Sequence, residues 1–140
     1  MKDIAIAIKE LNTGKSIVFA KEGEILYTEK SKGILPILRA MENRDLQGSS
    51  VADTVVGLAH AMISAEIGVE EIYGKVLSES ARDYLKKKKI PFSYDIVVDK
   101  ILDRTGNDLC PMEKRAQESS DCSKLIEKIE QFFEEMGKKR

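Results

Sequence analysis

Residues 48–57 read Gly-Ser-Ser-Val-Ala-Asp-Thr-Val-Val-Gly, and they form the most informative segment of the chain. From Val51 to Ile67 the sequence is apolar nearly all round, which predicts a central helix packed closely against a sheet. Asp53 would lie in the first turn of that helix. Buried helices rarely carry a charge unless some requirement retains it. We therefore expect a site where this helix begins.

Asp53 has a structural and a functional interpretation. The segment Ser50-Val51-Ala52-Asp53 matches a capping box, in which the Ser50 and Asp53 side chains bind each other's backbone amides. A half-buried carboxylate can also act as a general base or anchor a ligand. His60 would lie about 10 Å further along the helix axis, too far for a direct pair. The sequence leaves both interpretations open.

The segments on either side predict alternating helices and strands. A Glu22-Gly23 connection between two short β-rich runs predicts a hairpin. The fold class that follows is α/β, a three-layer α/β/α sandwich with a mixed sheet and an extra C-terminal helix. Residues 1–118 would form the α/β domain, and 119–140 a linker and amphipathic helix. Predicted helices cover 2–11, 33–44, 51–67, 80–89, a short segment from 111 and 124–136, and predicted strands cover 16–21, 24–28, 71–77 and 92–98.

Composition excludes several classes of function. The chain has 140 residues, a net charge of −1 and 42% apolar residues, so it offers no global field that would attract nucleic acid. It has no apolar run of the roughly 20 residues that a bilayer span needs. Its start lacks the features of a signal peptide, and we expect a cytoplasmic protein without membrane partners. With one histidine and two cysteines at scattered positions, the sequence predicts no zinc site, and we expect no metal and no cofactor.

Further candidate residues follow the predicted strands. Ser78 and Ser80 open a helix after a strand, where they would cap it or donate hydrogen bonds to a ligand. The amides exposed near Ser50 and Ser80 would together bind an anion if the two helices lie side by side. Arg104, in a polar loop, could hold an anionic group or pair with a neighbouring aspartate.

Cys110 precedes Pro111 at the start of a predicted short helix, with Glu113 in its first turn. A helix N-terminus lowers the pKa of a thiol and makes it a better nucleophile. A structural cysteine before a proline is the alternative, and Glu113 opposes thiolate formation. Cys110 is therefore a candidate nucleophile beside Asp53, and Glu113 a candidate ligand contact.

Three segments together resemble a family of small uncharacterised prokaryotic proteins with a cytidine deaminase-like fold. They are Lys32-Gly33-Ile34-Leu35-Pro36-Ile37-Leu38, Val51-Ala52-Asp53 with Val56-Gly57, and Arg104 with Cys110-Pro111-Met112-Glu113. The resemblance covers roughly residues 1–118 and implies the layout of a zinc deaminase, in which a His-x-Glu opens a central helix. It places Val51 where the zinc-binding His would stand and Asp53 where the proton-shuttling Glu would stand. It thus implies that fold without the zinc ligands.

Two hypotheses of different classes follow. In the first, the protein binds a small molecule, nucleotide- or nucleobase-like by fold analogy, at the N-termini of two central helices. Asp53 and Cys110 would act in catalysis, with Ser50, Ser78, Ser80, Arg104 and Glu113 as ligand contacts. In the second, the fold is a non-catalytic scaffold whose C-terminal helix mediates homo-oligomerisation or partner binding.

Overall fold

The computed structural model of the chain describes residues 2–138. These residues form five strands and six helices, with a 3₁₀ turn over Arg44–Leu46. The strands are β1 (Ile17–Lys21), β2 (Glu24–Glu29), β3 (Ser50–Val56), β4 (Glu71–Ser78) and β5 (Phe92–Val98). The helices are α1 (Asp3–Leu11), α2 (Leu35–Ala40), α3 (Leu58–Ile67), α4 (Glu79–Lys88), α5 (Pro111–Gln117) and α6 (Cys122–Lys138).

The strands form one mixed sheet in the order β2-β1-β3-β4-β5. β1 pairs antiparallel with β2 and β3, whereas β3, β4 and β5 run parallel. Helix α1 packs on one face of the sheet, and α2 to α6 contribute to a larger core on the other. The predicted three-layer α/β/α architecture and the hairpin at Glu22-Gly23 are confirmed.

The prediction of a helix over 51–67 is wrong. Residues Ser50–Val56 are strand β3, Gly57 is the N-cap of the following helix, and α3 begins at Leu58. A continuous apolar run fits a strand that is covered on both faces as well as a buried helix. The β-branched residues Val51, Thr54, Val55 and Val56 favour the strand. The capping box therefore does not form, because Ser50 starts a strand.

Helix α2 is also shorter than predicted. It covers Leu35–Ala40 instead of 33–44, with Pro36 in its first turn. The chain then turns through Arg44–Leu46, where the Asn43 side chain accepts a hydrogen bond from the Asp45 amide at 3.1 Å. Side-chain capping of this kind competes with helix continuation.

Helix α6 packs on the rest of the chain. Leu125 and Ile129 are almost fully buried in the larger core, and Arg115 lies 4.3 Å from the centre of the Phe132 ring. Phe133 and Met136 are 37% and 43% exposed. Within residues 2–138, no helix is both long enough and apolar enough to cross a membrane.

Candidate functional site

A cavity of about 190 Å³ lies where β3 ends and α3 begins. Parallel strands of an α/β sheet commonly bind ligands at their carboxyl ends, and this cavity occupies such a place. It opens to solvent on one side. Carboxylate, imidazole and thiol groups share it with apolar walls from α2, α5 and the loop after β5. We call it the Asp53 cavity; its lining includes Asp53, His60, Cys110, Glu113, Lys32, Ile34, Pro36, Ile101 and Met112.

Asp53 and His60 form a direct pair in this cavity. The distance from Asp53 Oδ2 to His60 Nε2 is 2.9 Å, and the two side chains are 14% and 8% exposed. The expected separation of about 10 Å along a helix is therefore wrong. Asp53 lies on a strand and His60 in the first turns of the next helix, so the turn at Gly57 brings the two side chains together.

Both nitrogens of the His60 ring have partners. Nδ1 lies 3.1 Å from the hydroxyl of Ser64, which is fully buried one turn further along α3. Nε2 contacts Asp53 and Nδ1 contacts Ser64, so neither ring nitrogen is free to activate Cys110. The ring instead holds the Asp53 carboxylate in place.

The contact between Ser64 and His60 yields a prediction about stability. We expect Ser64→Ala to lower the free energy of unfolding by about 1–2 kcal/mol, because Nδ1 loses its partner in a buried place. Urea unfolding measures the loss. The exposed Ser123 of α6 provides a control, since Ser123→Ala should change stability by less than about 0.5 kcal/mol. Equal losses in the two variants would contradict the proposed hydrogen bond.

The other oxygen of Asp53 is held by its own strand. Oδ1 accepts from the Val55 amide at 3.2 Å and from the Thr54 hydroxyl at 3.3 Å. A carboxylate offers about four lone-pair positions, so these contacts leave it room for one further donor. Asp53 is thus an oriented hydrogen-bond acceptor at the wall of the cavity.

Glu113 occupies the N-terminus of α3. Its Oε1 accepts from the Leu58 amide at 2.7 Å and its Oε2 from the Ala59 amide at 3.0 Å, and the side chain is buried. A carboxylate at this end also interacts favourably with the helix dipole. Gly57 makes room for it, since a Cβ at that position would lie 2.4 Å from Glu113 Oε1. A carboxylate of the chain itself thus fills the anion-binding position at the start of this helix.

Cys110 lines the cavity as a half-buried free thiol and is the N-cap residue of α5. The loop before it is held by its own polar contacts. A hydrogen bond from the Thr105 hydroxyl lowers the pKa of Asp103, and one from the Lys114 ammonium lowers that of Asp108. These contacts fix the residues that lead into Cys110.

The remaining candidate residues lie elsewhere. Ser50 is at the opposite end of β3, and Arg104 is exposed on the loop outside the cavity. Ser78 caps α4, accepting from the Ala81 amide at 3.1 Å, and its hydroxyl also lies 3.1 Å from that of Ser80. Ser80 lines a separate cavity of about 260 Å³, which shares Glu113 with the first. Because Ser50 starts a strand and no helix begins there, the anion-binding position predicted from amides near Ser50 and Ser80 does not form.

A zinc ion of the deaminase kind does not fit these residues. Val51, the position that the resemblance matches to the His ligand, is a fully buried strand residue. Between residues 2 and 138, no group of three or more His, Cys, Asp or Glu side chains is arranged to hold a metal ion. Asp53 likewise lies on a strand and does not open the central helix, contrary to the layout that the resemblance implies.

Two polar residues of this site, His60 and Ser64, are not among the candidates predicted from the sequence. The sequence carries a signal for them, because a Gly after a run of β-branched residues marks the end of a strand. With Asp53 on that strand, the turn at Gly57 places His60 of the following helix beside Asp53. The roles of Lys32 and of the walls from Ile34 and Pro36 depend on how the loop after β2 folds, which the sequence alone does not specify.

Comparisons with known proteins agree on a family. The family described as Domain of unknown function (DUF1893) matches residues 6–133. The crystal structure of a DUF1893 family protein from Thermotoga maritima has a TM-score of 0.81 and 25% identity, covering 92% of this chain and 89% of that chain. That of dCMP deaminase from the cyanophage S-TIM5 has a TM-score of 0.48 and 12% identity, covering 66% of this chain and 93% of that one. No curated protein matches the chain.

Proposed function

The chain belongs to the DUF1893 family, and we propose that it binds a small nitrogenous molecule of about nucleobase size in the Asp53 cavity. The observation that carries the proposal is the Asp53 carboxylate, oriented by His60 at 2.9 Å and by the Val55 amide, at the wall of an otherwise largely apolar cavity. A small-molecule site combines apolar walls with a few well-placed polar groups in this way.

The volume of the cavity supports this size of ligand. A cavity of about 150 Å³ holds benzene, and this one measures about 190 Å³. A single heterocyclic ring with its substituents fits, whereas the sugar and phosphate of a nucleotide would have to extend through the open side.

The remaining lone pair of Asp53 would accept an N–H of the bound molecule. In the catalytic form of the proposal, the same oxygen takes a proton from the ligand or from a water molecule beside it, with His60 holding the carboxylate in place. Cys110 lines the same cavity and would contact the ligand through its thiol.

Thermal unfolding with free nucleobases tests the proposal. Cytosine, uracil and adenine are added at increasing concentration to the wild-type protein, and at 100-fold above its dissociation constant a bound base should add about 2.7 kcal/mol of stability. Asp53→Asn keeps the volume of the side chain but removes its charge. We expect this substitution to weaken binding roughly 10- to 100-fold, because the ligand loses a hydrogen bond to a charged group.

Two further variants complete the experiment. Asp45→Asn is the matched control, because Asp45 is exposed and lies outside the cavity, and it should bind as the wild type does. Cys110→Ala should weaken binding less than Asp53→Asn does. A panel without any shift, or equal shifts in Asp53→Asn and Asp45→Asn, would contradict the proposal.

A further inference from the structure

Glu113 already occupies the position in the Asp53 cavity where the start of α3 could bind an anion. A helix N-terminus is ordinarily a place for a phosphate or carboxylate, since its free amides point outward. In α3 that place is filled, because the Leu58 and Ala59 amides both donate to Glu113. Glu113 is only 4% exposed, so a ligand anion would have to displace a buried carboxylate.

Asp53 contributes a second carboxylate to the lining of the same cavity. Its oxygens contact the His60 ring, the Val55 amide and the Thr54 hydroxyl, so Asp53 presents a hydrogen-bond acceptor and no donor to the cavity. Among the described lining residues, Lys32 supplies positive charge, but its side chain is exposed and therefore in contact with water. Water weakens the field of such an ammonium group far more than that of a buried carboxylate.

From this arrangement we infer that the Asp53 cavity selects its ligands by charge: it takes a neutral or cationic amide- or amidine-like group and rejects an anion of the same shape. The inference rests on the proposed function and narrows it to one ligand class. An N–H donor meets the remaining lone pair of Asp53, whereas a carboxylate or phosphate meets two carboxylates and finds the helix amides occupied. A nucleotide would enter by its base, with the phosphate outside.

Three molecules of matched shape test the inference. Benzamidinium, benzamide and benzoate share one ring and the same number of heavy atoms, and differ in the charge and donors of the head group. Their dissociation constants are measured by NMR titration of the full chain near neutral pH. We expect benzamidinium and benzamide to bind, and benzoate to bind at least about tenfold more weakly, since two carboxylates repel it.

Variants assign the selectivity to its source. Asp53→Asn should reduce the preference for benzamidinium over benzoate by about tenfold or more, whereas the control Asp45→Asn should leave the preference unchanged. Far-ultraviolet circular dichroism confirms that each variant is folded. An unchanged preference for benzamidinium over benzoate in Asp53→Asn would overturn the assignment of the charge selectivity to Asp53.

The outcomes separate this inference from the function on which it rests. Binding of benzoate in the cavity as tight as that of benzamide would overturn the charge selection and leave the proposed small-molecule site standing. If nucleobases bind but neither benzamidinium nor benzamide does, the inferred ligand class is overturned and the proposed small-molecule site still stands. Failure of nucleobases and of all three probes would overturn both.

Discussion

Gly57→Ala is expected to lower the free energy of unfolding by about 4 kcal/mol, because the added methyl group would displace the buried Glu113 carboxylate. The reason is steric, since the new Cβ would lie 2.4 Å from Oε1 of Glu113 and 2.6 Å from its Cδ. Gly57 has an extended backbone with φ of −100°, so alanine suits the backbone itself. Glu113 would have to withdraw, leaving the Leu58 and Ala59 amides and its own charge without partners. Urea unfolding measures the change.

A double-mutant cycle separates this clash from other causes. In a Glu113→Ala background the atoms that Gly57→Ala would strike are absent, so the second substitution should cost less than about 1 kcal/mol. Gly137→Ala is the control, because Gly137 lies in α6 with open space around it, and there alanine should be neutral or stabilising by up to about 1 kcal/mol. The same loss from Gly57→Ala in both backgrounds would show that Glu113 is not its cause.

Leu125→Ala is expected to cost about 3 kcal/mol, because the side chain is fully buried where α6 meets the larger core. Phe133→Ala, on the more exposed side of the same helix, should cost less than about 1.5 kcal/mol. Thermal or urea unfolding of the two variants checks this difference.

The difference in stability between Leu125→Ala and Phe133→Ala also tests the alternative hypothesis, a scaffold that binds partners through its C-terminal helix. If the apolar face of α6 served a partner, Leu125→Ala would weaken association and leave the isolated chain as stable as before. The packing of Leu125 and Ile129 into the core favours a stabilising role within the chain. Phe133 and Met136 remain exposed, and homo-oligomerisation stays a prediction.

Much of the architecture could be predicted from the sequence because its signals are local. The Glu22-Gly23 turn, the strand at residues 71–78 and the stop before Pro91 each follow from a few neighbouring residues. The α/β class follows from the alternation of predicted helices and strands. The family resemblance follows from segments that the structure keeps close together, such as Val56-Gly57 with Glu113.

The site was predicted only in part, because one error about β3 changed every distance around it. A continuous run of apolar residues has no periodicity that separates a strand covered on both faces from a buried helix. With Asp53 on a helix, His60 would lie too far from it to pair, and Ser64 would have no role in the site. Asp53, Cys110 and Glu113 do line one cavity, whereas Ser50, Ser78, Ser80 and Arg104 lie outside it. The contact of Glu113 with Leu58 joins residues 55 positions apart and leaves no local signal.

A heteronuclear NMR titration of the wild-type protein with cytosine shows whether the Asp53 cavity binds a base. We expect saturable changes in the backbone amide signals of Thr54, Val55, Ala59 and Met112, which line the Asp53 cavity. These changes should be lost or strongly weakened in Asp53→Asn. Saturable changes confined to the charged groove of about 540 Å³ beside Lys21 and Arg44, or none at the cavity at millimolar cytosine, would rule out a nucleobase site at Asp53.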